Sequence, residues 1–256
     1  MNKALYFISD AHLGSGADSP QRERELVEFL DSIKDHADTL VLLGDIFDFW
    51  FTYRHVVPRG YSRIIGKLAE LSDRGVKLHY CIGNHDMWVF DFFTSEMNAV
   101  MHNEPCFLDF DGRRFLIGHG DGMGNQDSNY LLLKRIFRSK VNQRLFSTIH
   151  PWIGFSIASR WSESSRKKHS RKYQHYMGDD KEGIVQYCKK RLETEPFDFC
   201  VFGHRHTPIT RTITTGSRSA QYVNVGEWID HRNYAVYSDG ILKLCDLKDA
   251  SKEYCG

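Results

Sequence analysis

Five short polar clusters carry the residue types that could do chemistry: Asp10-Ala11-His12, Gly44-Asp45-Ile46-Phe47-Asp48, Gly83-Asn84-His85-Asp86, Gly118-His119-Gly120-Asp121 and Gly203-His204-Arg205-His206. Together they offer imidazole nitrogens and carboxylate or amide oxygens without a thiolate. That donor set suits Mn, Fe, Zn or Mg rather than Cu(I) or an iron–sulfur cluster. Each cluster alone is weak, because an isolated His, or an Asp-x-His, is more often a surface or core feature than a ligand pair. The conjunction, in order and each directly after an apolar run, points to one divalent-metal site. Glycines before Asp45, Asn84, His119 and His204 are expected to permit the sharp backbone reversals that aim strand-end side chains at a metal. Asp48 and Asp86 read as residues that orient ligands or cap loops.

Ligand clusters at strand ends require a sheet whose carboxyl edge gathers them. The sequence predicts strands at 4–8, 39–43 and 76–82, separated by helices at 22–36 and 61–72, the first with Leu26, Phe29, Leu30 and Ile33 on one face. This βαβ rhythm belongs to a layered α/β fold. A hairpin is expected from 106–110 to 114–117 around Asp111-Gly112. Residues 125–178 lose strand character and read as short helices punctuated by Pro151 and Gly154. Asp179 or Asp180 is expected to cap a helix carrying Ile184, Tyr187, Cys188 and Leu192. Strands at 197–202, 209–214, 221–225, 234–237 and 242–245 close the chain. With 256 residues and 41% hydrophobic content, one domain (1–256) with a helical insertion at about 125–178 is the economical organisation.

The net charge of +1 hides an asymmetry: residues 134–173 hold eleven Lys or Arg against the single acid Glu163, a local +10. Such a segment suits an anionic ligand or surface. The apolar run at 4–8 is too short for a signal-peptide core, and no stretch approaches the roughly 20 apolar residues of a membrane span. The six cysteines are scattered, without a CxxC pair, which fits small core residues in a reducing compartment. A cytoplasmic location is expected, with peripheral membrane contact left open.

The five clusters resemble the pattern of the calcineurin-like metallophosphoesterases, D-x-H, G-D-x-x-D, G-N-H-[DE], G-H and G-H-x-H, over residues 10–206. The resemblance implies a layered αββα sandwich with two divalent ions, Mn²⁺ being the favoured identity. It implies that Asp10, His12, Asp45 and His206 hold one ion and Asp45, Asn84, His119 and His204 the other, with Asp45 bridging. Two such ions can clamp phosphoryl oxygens and activate a water. The resemblance also implies catalytic positions for Asn84 and His85, with His85 as general acid or electrostatic stabiliser at the leaving oxygen.

A closer resemblance, to the UDP-2,3-diacylglucosamine diphosphatases of lipid A biosynthesis, rests on Gly44-Asp45-Ile46-Phe47-Asp48-Phe49-Trp50, on His119-Gly120-Asp121 with Asp127 and Tyr130, and on Ile157-Ala158-x-Arg160 through Ser165. It continues in Gly203-His204-x-His206-x-Pro208 and Val225-Gly226-x-Trp228. It implies hydrolysis of a diacylated UDP-sugar pyrophosphate to UMP and an acylated sugar 1-phosphate, at the cytoplasmic face of the inner membrane. The implied substrate contacts are Asn84, His85, Asp127, Ser165, His169, Lys172 and His204. His85 stands where many members have Arg, and His169 where they have Asn. The insertion is expected to act as a lid, with Ile136, Phe137, Leu145, Phe146, Ile149, Trp152, Ile153, Phe155, Ile157 and Trp161 lining an acyl pocket. The alternative is a nuclease or another metallophosphodiesterase using the basic segment as a phosphate track. Nucleic acid is not expected as a partner, because basic surface is confined to that segment, and no obligate protein partner is inferred.

Overall fold

The computed structural model describes residues 4–124, 128–169 and 176–249. Strands β1 (Ala4–Ile8), β2 (Ala37–Leu42), β3 (Lys77–Cys81) and β4 (Val100–His102) run parallel. Antiparallel β10 (Asn233–Ser238) and β11 (Ile241–Asp246) extend them into a six-stranded sheet of order β11-β10-β1-β2-β3-β4. The second sheet has five strands: β5 (Cys106–Phe110), β6 (Arg113–Gly118), β7 (Phe199–Phe202), β8 (Ile209–Thr215) and β9 (Arg218–Asn224) in the order β5-β6-β7-β9-β8. There β6, β7 and β9 are parallel.

Burial on both faces explains why β1 is apolar throughout. Leu5 and Phe7 point between the sheets at Phe115, Ile117, Val201 and Val223. Ile8 points outward to the cluster built from α1 (Ser19–Ile33) and α2 (Ser62–Asp73), with Leu26, Leu30, Ile64 and Leu68. On the far side α7 (Gly183–Thr194) lays Ile184, Cys188 and Leu192 on Leu116, Cys200 and Phe202. The result is helices, sheet, sheet and helix in layers, with each buried Leu or Phe stabilising by about 1.5–3 kcal/mol.

Several boundaries differ from expectation. Helix α1 begins at Ser19, because Pro20 sits in its first turn where a missing N–H is harmless. The α3 helix (Phe92–Met97) and edge strand β4 were not anticipated; Asn98 at φ 56° ends the one and starts the return to the other. The capping position of α7 is held by Glu182, not by Asp179 or Asp180. Asp179 instead pairs with Lys189 at 2.9 Å. The hairpin turn at Asp111-Gly112 forms, with φ of 51° and 69°. The described cysteines are unpaired, and no helix among the described residues is long and apolar enough to cross a membrane.

Between β6 and α7 lie α4 (Ser128–Arg138), α5 (Lys140–Phe146) and α6 (Pro151–His169). Gly154 does not interrupt α6, which is 19 residues long. It is a contact point: a Cβ there would lie 3.0 Å from both the Phe146 ring and the Tyr53 hydroxyl. Phe146 packs on Phe51 and Trp88 at ring distances of 4.9 and 4.7 Å, and Phe155 on Phe49 at 4.9 Å. These rings belong to the loops after β2 and β3, so the insertion is seated on the same loops that carry Asp45, Asn84 and His85.

Candidate metal centre and active site

Every cluster emerges at the carboxyl end of a parallel strand: Asp10 and His12 after β1, Asp45 after β2, Asn84 and His85 after β3, His119 after β6, His204 and His206 after β7. Because the two sheets pack face to face, these ends meet. His206 Nε2 lies 3.2 Å from His12 Nε2 and 3.1 Å from Asp10 Oδ1. Asp45 Oδ2 lies 3.3 Å from His119 Nε2 and 3.9 Å from His12 Nε2. His119 Nε2 is also 3.3 Å from both Asn84 Oδ1 and His204 Nδ1. Ligand atoms a little over 3 Å apart are what a first-row ion with bonds of about 2.0–2.2 Å requires of its neighbours.

The backbone is bent to this purpose. Asp10, His12, Asp45, His204 and His206 all have left-handed φ, between 43° and 66°. Non-glycine residues adopt this region rarely, and such strain concentrates at functional sites. This corrects the expectation for the glycines: of the four preceding a ligand, Gly44 alone has positive φ, at 89°. Gly83 and Gly203 serve by lacking a side chain. A Cβ on Gly83 would fall 2.2 Å from Asp45 Oδ1, and one on Gly203 2.5 Å from Asp10 Oδ2. Gly83→Ala is therefore expected to weaken metal retention about tenfold or more, read by chelator competition. Wild-type retention would mean the Asp45 carboxylate is free to move.

A second set of contacts orients the donors. His119 Nδ1–H donates to the Leu43 carbonyl at 2.8 Å, which turns Nε2 inward. Asp48 Oδ1 lies 3.6 Å from His12 Nδ1. Asp10 Oδ2 accepts the His204 N–H at 2.8 Å, and Asp45 Oδ1 the His85 N–H at 2.8 Å. Asp86 stays off the centre and organises its loop, accepting from Ile46 N–H at 2.9 Å and Gly83 N–H at 3.0 Å. Burial pushes it up to about 6, helped by Asp45.

Burial also works against the charges on Asp10 and Asp45, yet surrounding imidazoles hold both well below the usual carboxylate range. Burial likewise disfavours a charged His119, but Asp45, Asp10 and Asp121 hold it up at about 10. His204 and His85 are pushed down to about 4, chiefly by burial. The buried Asp10 Oδ1 and His12 Nδ1 have no hydrogen-bond partner. Anionic oxygens, inward imidazole nitrogens and an orphaned carboxylate oxygen fit divalent cations. Among the described residues, three groupings could each hold an ion: Asp10, His12 and His206; Asp45, His119 and His204; His12, Asp45 and His85. The third adds His85, which the sequence placed at the leaving oxygen.

The substrate residues divide. Asn84, His85 and His204 are at the centre. Ser165 and His169 lie on α6, with side chains outside the described set, while Asp127 and Lys172 lie outside the described residues altogether. Two neighbours went unassigned from sequence. Lys134, counted only among the basic residues, pairs with partly buried Asp121 at 2.7 Å. Ser162, a buried residue of α6, reaches Asp48 and His85. No spacing in the sequence singles out that serine.

The family model for calcineurin-like phosphoesterases matches residues 4–208. The chain belongs to that family, and it is a metallophosphoesterase, a hydrolase whose His and Asp cluster can bind divalent metal. A UDP-2,3-diacylglucosamine hydrolase of Porphyromonas gingivalis is 36% identical over 97% of this chain and 99% of that protein. One of Aeromonas salmonicida is 30% identical over 93% of this chain and 91% of that protein.

Proposed function

We propose that the protein hydrolyses the pyrophosphate bond of UDP-2,3-diacylglucosamine, giving UMP and 2,3-diacylglucosamine 1-phosphate for lipid A biosynthesis. The observation that carries the reading is the end-to-end similarity to hydrolases bearing that substrate's name, 36% identical over 97% of the chain. The geometry supports it. Asp10, His12, Asp45 and His206, and Asp45, Asn84, His119 and His204, would hold two divalent ions, with Mn²⁺ suited to these N and O donors. Bound there, such ions supply charge for the phosphoryl oxygens and acidify a water.

The chain's own groups do the rest. Asn84 Oδ1 lies 3.3 Å from His119 Nε2, and His85 follows it on the same loop. Nδ1–H of His85 donates to the Asp48 carbonyl at 3.1 Å, so Nε2 is the nitrogen that would have to take up a proton before delivering it to the leaving oxygen. On the insertion, an open surface depression of about 320 Å³ is lined by Lys134, Arg135, Arg138 and Ser139, with Lys134 already paired to Asp121 and Arg138 to Glu104. Beyond the seated Phe146 and Phe155, Trp152, Ile153 and Ile157 are 73, 44 and 54% exposed. An apolar face flanked by basic residues suits acyl chains and a peripheral position on the cytoplasmic face of the inner membrane. Ser165 and His169 on α6, with Asp127 and Lys172, are proposed to contact the sugar phosphate.

Incubating the purified protein with UDP-2,3-diacylglucosamine and Mn²⁺ is expected to release UMP. Exhaustive chelation should lower turnover about 100-fold or more, and Mn²⁺ should restore it. Turnover that survives chelation would reject metal-dependent hydrolysis. Absence of UMP, with a simple phosphodiester still cleaved, would reject this substrate.

A further inference from the structure

We propose that Ser162 is a positioning residue for His85, and that through it the insertion helix α6 completes the catalytic centre. The proposal rests on the phosphoester hydrolysis read above and on side-chain geometry. Ser162 is only 8% exposed, and its hydroxyl sits between two groups of the metal loops. It donates to Asp48 Oδ1 at 2.8 Å and lies 3.1 Å from His85 Nδ1. The direction of the second bond follows from a third. His85 Nδ1 is also 3.1 Å from the Asp48 backbone carbonyl, which can only accept. Nδ1 therefore carries the hydrogen, shared between that carbonyl and Ser162 Oγ, while the serine hydrogen is directed to Asp48 Oδ1.

This arrangement fixes the imidazole in two ways. The ring is held edge-on to His12, with centroids 4.8 Å apart and planes at 86°, so it cannot drift toward the metal ligands without losing its Nδ1 bonds. Its Nε2 is the nitrogen left for the reacting phosphoryl group. Asp48 Oδ1 also faces the metal side, 3.6 Å from His12 Nδ1 and beyond hydrogen-bond reach of it. A serine is short, so the bridge exists only while α6 is seated on the loops through Phe155 against Phe49. The seated helix thus places His85 as well as covering the site.

The test is a double-mutant cycle of Ser162→Ala and His85→Ala, read on UDP-2,3-diacylglucosamine and on bis(p-nitrophenyl) phosphate, with Ser162→Thr and its isostere Ser162→Val as controls. Ser162→Ala should lower kcat about 10-fold to 100-fold, the range seen when a ligand-orienting partner is lost, with KM and metal content unchanged. Thr should restore most of the rate and Val should not. The double variant should be no slower than His85→Ala, because Ser162 acts through that ring. Independently of turnover, the downfield Nδ1–H proton resonance, assigned by its absence in His85→Ala, should shift in Ser162→Ala and return in Ser162→Thr. Additive losses, equal losses in the Thr and Val variants, a resonance unmoved by Ser162→Ala, or wild-type kcat in that variant would each overturn the proposal. If only the simple diester is cleaved, the substrate assignment fails and the cycle on that diester still decides the role of Ser162.

Discussion

Asp45→Ala should lower kcat/KM by about 1,000-fold or more, the largest effect of any single ligand change, which corresponds to about 4 kcal/mol of lost transition-state stabilisation. The carboxylate is buried, and its Oδ2 lies within 3.3 Å of His119 Nε2 and 3.9 Å of His12 Nε2, so it faces both halves of the donor set. Its Oδ1 also accepts the His85 N–H at 2.8 Å, which shapes the loop carrying Asn84. Truncation therefore removes charge from two proposed ion sites and a structural bond from a third ligand. His206→Ala, by contrast, removes one nitrogen near Asp10 and His12 only, and should cost about 10-fold to 100-fold. Elemental analysis separates the cases: the Asp45 variant should lose both ions and the His206 variant one. An Asp45→Ala protein that keeps two ions and near-native turnover would rule out the bridging position.

What sequence made legible here is the part governed by local chemistry. An apolar run followed by an Asp, Asn or His, in four of the five cases after a Gly, marks a strand end, and the structure brings these five ends together. The β1 run was readable because both of its faces are buried, and the Asp111-Gly112 turn because few other dipeptides tolerate two positive φ values. What stayed hidden depends on tertiary approach. Nothing in the letters distinguishes Gly44, which needs its φ of 89°, from Gly83, whose missing Cβ leaves room for Asp45. The left-handed ligands themselves were also invisible, since Asp and His carry no sequence mark of strain. Helix α3 and strand β4 were missed because each is short, six and three residues, and short elements are set by packing rather than periodicity.

The insertion illustrates the same limit. Its apolar residues were read as one pocket-lining group, but the structure divides them. Phe146 and Phe155 are spent on seating the helices against Phe49, Phe51 and Trp88, and Phe137 accepts the Trp88 Nε1–H through its backbone carbonyl at 2.9 Å. Trp152, Ile153 and Ile157 remain on the open face. Helical periodicity reports that a face is apolar; it does not report which neighbour covers it.

Trp152→Asp combined with Ile157→Asp should lower turnover of the diacylated UDP-sugar by about tenfold or more while leaving a small chromogenic phosphodiester nearly unchanged. The two side chains are 73 and 54% exposed, so the substitutions bury no charge and the fold should tolerate them. The reason for the asymmetry is that binding energy from substrate parts remote from phosphorus can position the reacting group, so its loss falls on kcat/KM of the lipid substrate alone. Phe146→Asp is the opposite case. Its ring lies 4.7 Å from Trp88 and 4.9 Å from Phe51, and a carboxylate there would unseat α5 and, across Gly154, α6. With α6 displaced, Ser162 leaves His85, so both substrates should slow together. Measuring both rates in both variants decides the matter. Equal losses in the Trp152 and Ile157 double variant would make the open face a structural support, and no loss on the lipid substrate would send the acyl chains elsewhere.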